Sequence, residues 1–216
     1  MEYALTATKT EARAGSYYDR IVRLYELTFK FNGYARSLDQ YFQTQPLPVS
    51  LGQRILDAGC GTGLLTMALL RAIRFPVSIT ALDLSSSSIA TARKSLYYSD
   101  GRKRDVTFTQ GNLLCLPFAD ESLDVVVTAG ALEYVPLADG LAELARVIVP
   151  GGYLLHLPVH PGIAGKVLEI LFRFKSHPPK DVINLTEQNF RIVHQYRFKP
   201  HHVIGWSKTA ILAQKV

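Results

Sequence analysis

The chain has 216 residues, 48% of them hydrophobic and 19% charged, which fits one domain with a sizeable core better than two small ones or a disordered polymer. No apolar run reaches the roughly 20 residues that span a bilayer, and the opening MEYALTATKTEARAG lacks the apolar core of a secretory signal, so a cytoplasmic protein is expected. The net charge is +6, and from Lys166 onward nine Lys or Arg stand against three acids, so the whole excess lies beyond residue 165. Such a region attracts an acidic acceptor, a nucleic acid or an anionic membrane surface, or else forms an ordinary solvated face. All six histidines fall between His156 and His202 without zinc-ligand spacing, and Cys60 and Cys115 are expected as free thiols, so no metal is predicted.

Residues Ser16 to Gln45 read as one or two helices, with Ile21, Leu24, Tyr25, Phe29 and Phe31 at helical spacing, Gly33 as an interruption and Pro46-Leu-Pro48 as the end. Strand and helix patterns then alternate: strand Arg54–Asp57, helix Gly63–Ile73, strand Val77–Leu82, and helix Ser85–Tyr97 opened by capping serines. Strand Val106–Thr109 follows, then Leu123–Thr128, a nearly continuous apolar run suited to burial on both faces. Helix Leu137–Ile148 should stop at Pro150-Gly151-Gly152, ahead of strand Tyr153–Leu157. Helix Gly162–Lys175 precedes two strand-like runs, Phe190–Phe198 and Val203–Ala213, whose short link predicts antiparallel pairing. The alternation predicts an α/β fold: a doubly wound, Rossmann-like sheet of seven strands, mostly parallel with an antiparallel last strand.

The most informative segment is Ile55-Leu-Asp57-Ala-Gly59-Cys-Gly61-Thr-Gly63, where a strand meets a helix. Glycines there permit a tight turn and close approach of a ligand, and the helix start offers unpaired amides. The spacing is GxGxG, not the GxGxxG of dinucleotide binders. Asp83 ends the next strand, in Ala81-Leu-Asp83-Leu-Ser85, where a carboxylate can accept ribose hydroxyls. Gln110-Gly-Asn112, Leu116-Pro-Phe118-Ala-Asp120-Glu-Ser-Leu-Asp124 and Arg146-Val-Ile-Val-Pro150-Gly-Gly152 complete the series.

These four motifs, in this order, resemble those of class I S-adenosylmethionine (SAM)-dependent methyltransferases, within them the small-molecule branch of ubiquinone and menaquinone biosynthesis. The resemblance covers residues 50–157 well and the ends loosely. It implies SAM as cofactor, with Asp57, Gly59, Cys60, Gly61 and Gly63 around its methionine portion and Asp83 on the ribose. Leu84 would pack on the adenine, with Asn112 and Leu113 at its edge. Ala129 and Gly130 would lie beneath the methyl group or simply pack under a helix. Asn112 departs from the family's usual Asp but keeps an acceptor oxygen. Tyr134, in Ala131-Leu-Glu133-Tyr134-Val-Pro, stands where the family often has histidine, and its ordinary pKa near 10 makes it a poor base.

Tyr134, His156 and His160 are the candidates for catalysis, each alternatively a pocket-lining or structural residue. An N-terminal helical lid over residues 1–48, on the α/β core 49–216, would place Tyr17, Tyr18 and Tyr34 against a small, apolar or aromatic acceptor. The stripe Ile163, Val167, Leu168, Leu171 and Phe174 beside Lys166, Arg173 and Lys175 is compatible with peripheral membrane contact. No nucleic acid is expected, because the basic residues are not interleaved with aromatics in a binding module. A nucleic-acid methyltransferase and a non-catalytic SAM-binding protein remain the alternatives.

Overall fold

A computed structural model describes residues 33–100, 106–199 and 206–216. The elements in chain order are α1 (Tyr34–Thr44), β1 (Arg54–Ala58), α2 (Leu64–Ala72), β2 (Ser78–Asp83), α3 (Ser86–Asp100), β3 (Val106–Gln110) and β4 (Leu123–Ala129). A 3-10 turn (Leu132–Tyr134), α4 (Leu137–Val147), β5 (Ile148–Leu157), α5 (Ile163–Phe172), α6 (Pro179–Thr186), β6 (Phe190–Arg197) and β7 (Thr209–Lys215) follow. They build one seven-stranded sheet in the order β3-β2-β1-β4-β5-β7-β6. Strands β1 to β5 pair in parallel, whereas β7 runs antiparallel to β5 and, as expected for the two late strands, to β6.

Both faces of the sheet are covered, which explains the unbroken apolar runs. Because side chains alternate along a strand, Ile55, Val125, Val127, Leu155 and Leu157 face one core with Tyr34, Leu38 and Phe42 of α1 and Leu65 and Leu69 of α2. Leu56, Val126 and Leu154 face the other, with Leu137, Leu141 and Leu144 of α4 and Val182 of α6. Gly33, with φ 81°, immediately precedes α1, at the position where the sequence placed an interruption. Ser85 Oγ accepts the Ser88 amide at 3.1 Å and so caps α3.

Three expectations need correction. Pro150-Gly151-Gly152 does not separate helix from strand, because α4 ends at Val147 and β5 begins at Ile148. The register of β4 on β5 jumps from Leu123↔Ile148 to Val125↔Tyr153, so these residues form a bulge within the strand. Strand β7 begins at Thr209, not at residue 203, with residues 203–205 outside the described part. Helix α6 carries no predicted counterpart, although proline at its start and Asp181 in its first turn are helix-opening signals. Among the described residues, no helix is long and apolar enough to cross a membrane.

Candidate functional site

A cavity of about 170 Å³ opens at the carboxyl ends of the central strands, where the sheet order reverses between β1 and β4. The loop after β1 supplies Gly59, Gly61 and Thr62, and the end of β2 supplies Asp83 and Leu84. Asn112 and Leu113 follow β3, Ala129 and Gly130 end β4, and Tyr134 comes from the 3-10 turn.

Backbone hydrogen bonds pin the glycine loop to β2. The amides of Gly59 and Cys60 both donate to the Leu82 carbonyl, at 2.8 and 2.9 Å. The Gly61 amide donates to Asp83 Oδ2 at 2.8 Å, and the Ser85 amide donates to Oδ1 at 2.9 Å. Burial raises the Asp83 carboxyl above its ordinary pKa, against these amide bonds, which favour the anion. Gly61 has φ 52°, and a Cβ built there would meet no atom within 4 Å, so the space beside it belongs to the cavity.

Other expected cofactor residues stand behind the wall. Asp57 is fully buried, accepts a hydrogen bond from Thr66 Oγ1 at 2.5 Å through Oδ2, and leaves Oδ1 without a partner among the described residues. Its carboxyl is pushed up to about 7 by burial, with Asp83 adding repulsion and the Thr66 bonds opposing. Cys60 is buried, with its amide already used, and Gly63 precedes α2 with its amide on the Cys60 carbonyl. Neither reaches the cavity lining, because the loop turns their side of the chain inward. Asn112 Oδ1 accepts the Leu114 amide at 2.9 Å, so this side chain shapes its own turn at the cavity edge. Cys115 is exposed and, like Cys60, free.

The catalytic candidates separate. Tyr134 lines the cavity, but its hydroxyl donates to the Phe172 carbonyl at 3.1 Å and its ring meets Phe174 edge-on. His156 is buried in the sheet, paired with Thr128 on β4 and Ile211 on β7, and does not line the cavity. Among the described residues both its ring nitrogens lack hydrogen-bond partners, and burial, with Lys208 and His177 adding to it, lowers its pKa to about 3. His160 lies at the turn before α5, its amide on the Ser207 carbonyl, outside the lining. Tyr34 packs into the core with Leu38 and Phe42 of α1 and is not part of the cavity lining. Tyr17 and Tyr18 lie outside the described residues.

Sequence reasoning missed Lys208. It sits just before β7, is only 3% exposed, and reaches the cavity wall beside Gly130. Near it, Glu133 is buried, with Oε1 accepting the Val159 amide at 2.5 Å and Oε2 unpartnered among the described residues. Leu168, Phe172 and Phe174 from the α5 region make the apolar wall. The other basic residues beyond position 165 are exposed, apart from half-buried Lys215, so most of the excess charge is a solvated face.

A doubly wound sheet with a glycine turn after β1 and a carboxylate after β2 defines a nucleotide-type cofactor fold. Residues 55–152 match the family described as methyltransferase domain. The chain is 34% identical to fatty-acid O-methyltransferase of Mycolicibacterium smegmatis over 126 residues, covering 58% of this chain and 44% of that protein. It is 32% identical to demethylmenaquinone methyltransferase of a Mycobacterium species over 154 residues, covering 69% and 61%. The structure of geranyl diphosphate C-methyltransferase from Streptomyces coelicolor superposes with a TM-score of 0.69 at 16% identity, covering 84% of this chain and 76% of that one. The chain thus spans about half the length of the curated relatives it matches.

Proposed function

We propose that the chain is a methyltransferase that binds SAM in this cavity and methylates a small, largely apolar acceptor. The observation that carries the reading is the Asp83 carboxylate, tied to the Gly61 amide beside open space on the cavity side of Gly61. A carboxylate with lone pairs to spare suits vicinal hydroxyls, and Leu84, 37% exposed, lines the same cavity as Leu113, giving apolar surface suited to a flat base. Asp83 would hold the ribose, Leu84, Asn112 and Leu113 the adenine, and Gly59, Gly61, Ala129 and Gly130 the remainder. Asp57, Cys60 and Gly63 would act indirectly, by shaping the loop.

SAM supplies a methyl group already activated on a sulfonium sulfur. The residues of this chain therefore need only orient the acceptor and exclude water. Tyr134, Leu168, Phe172 and Phe174 form the apolar side of the cavity that would do so. The named acceptors of the two mycobacterial relatives, a fatty acid and a demethylmenaquinone, support an apolar acceptor. The segment before α1, which lies outside the described residues, would supply the lid, since α1 itself packs into the core. The exposed Ile163, Val167 and Ile170 beside Lys166 support peripheral contact with an anionic membrane surface, and a cytoplasmic location agrees with both.

Calorimetric titration with SAM, S-adenosylhomocysteine and NAD tests the cofactor, followed by methyl transfer from labelled SAM to fatty acids, phenols and quinols. SAM and S-adenosylhomocysteine should bind in the micromolar range and NAD not detectably. Binding of NAD without SAM would reject the reading.

A further inference from the structure

Lys208 is the only basic side chain among the described residues that line the cavity. Its ammonium has three donors, yet among the described residues only one hydrogen bond is present, to the Leu157 carbonyl at 3.3 Å. Among the described residues it makes no ion pair: the Glu133 carboxylate attracts it from beyond salt-bridge distance while bonding the Val159 amide. Burial pulls its pKa down to about 8, with Glu133 opposing, so the amine stays largely protonated at neutral pH.

The amine is also held in place. Lys208 bridges to Val159 at the end of β5, and the His160 amide donates to the neighbouring Ser207 carbonyl at 2.9 Å. A Cβ on Gly130 would lie 2.7 Å from Nζ, so the glycine at the end of β4 leaves the room that the ammonium occupies. Apolar Phe172, Phe174 and Leu168 stand on the same wall. Among the described residues this buried cation has no anion in direct contact, and Glu133 offsets its desolvation only in part.

We infer that Lys208 selects the acceptor, which carries an ionised oxygen, a carboxylate or phenolate, on an otherwise apolar body. This rests on reading the cavity as the methyl-transfer site. The oxygen would take the open donors of Nζ, and the apolar body would lie along Phe172 and Phe174. Lys208 is thus an acceptor-binding residue, for which neither Tyr134 nor His156 offers a charge.

Octanoate, 4-nitrophenol and 1-octanol, titrated by calorimetry at pH 7 to 7.5, where the Lys208 ammonium persists, into protein saturated with S-adenosylhomocysteine, test this. Octanoate, or 4-nitrophenol as it ionises, should bind at least about tenfold tighter than 1-octanol. In Lys208→Met that preference should vanish while S-adenosylhomocysteine affinity stays within about twofold; Lys208→Arg should retain part of it. Equal binding of all three probes, no binding of either acidic probe, or an undiminished preference in Lys208→Met overturns the inference. If Lys208→Met does not fold, the wild-type comparison decides alone. Failure of the wild type to bind S-adenosylhomocysteine would instead reject the cofactor reading.

Discussion

The Gly61 amide donates to the Asp83 carboxylate at 2.8 Å, joining two loops 22 residues apart in the chain. The bond makes the glycine turn and the end of β2 a single rigid edge of the cavity. Asp83→Ala should weaken S-adenosylhomocysteine binding by about 1–3 kcal/mol, since a charged acceptor is lost from both loop and ligand. Asp83→Asn should be milder. A calorimetric change below a few tenths of a kcal/mol would show that Asp83 does not hold the ribose.

Gly59 and Gly61 should fail in different ways when substituted. A Cβ on Gly59 would collide with the Ala131 side chain, and φ is 77°, so Gly59→Ala should lower the melting temperature as well as binding. The Cβ position of Gly61 is open, so Gly61→Val pushes its side chain into the cavity, with only the strain of a positive φ, about 1–3 kcal/mol, acting on the fold. Its S-adenosylhomocysteine affinity should drop at least about tenfold. Equal losses of stability and binding in both variants would count against a ligand beside Gly61.

His156 makes the fold sensitive to acid. Its pKa is lowered from 6.5 to about 3, so its contribution is fully present above pH 6.5 and is lost as pH falls toward 3. Asp57, raised to about 7, acts in the opposite sense, its contribution being lost as pH rises from 3.8 through 7. Comparison with His156→Leu separates the two. Between pH 7 and pH 5 the stability of the wild type should fall by about 2 kcal/mol relative to the variant. Parallel unfolding curves for the two proteins over that range would refute the assignment.

Arg146 ties the segment before β4 to α4. It bonds Glu143 and Asp120, both at 2.7 Å, and the carbonyls of Phe118 and Leu116 at 2.9 and 3.1 Å. A lysine cannot match this planar fork, so Arg146→Lys should cost about 1–2 kcal/mol of stability in chemical denaturation. None of these partners lines the cavity, so S-adenosylhomocysteine affinity should stay within roughly threefold, or ~0.6 kcal/mol. A larger loss of affinity than of stability would place Arg146 in the binding machinery.

Deleting residues 1–32 addresses the proposed lid. Methyl transfer should be abolished while SAM affinity stays within about tenfold, or 1.4 kcal/mol. Transfer at the full-length rate by the truncated protein would show that the α5 wall alone builds the acceptor pocket.

The sequence by itself determined the strand–loop–helix units around Gly59, Gly61 and Asp83, because their signals are local: a turn needs glycine, a helix start needs Ser85, and a doubly buried strand needs an unbroken apolar run. It also pointed to antiparallel β6 and β7, through a short link. Only the tertiary structure decided what shares a wall with what. His156 and Leu157 are adjacent, yet strand alternation sends them to opposite faces, and pairing with β7 then buries the histidine. Lys208 is 51 residues beyond Leu157 and has no local signature among eight other late basic residues. The insertion of β7 between β5 and β6 carries it to Gly130, and that placement depends on strand order, which no local pattern encodes.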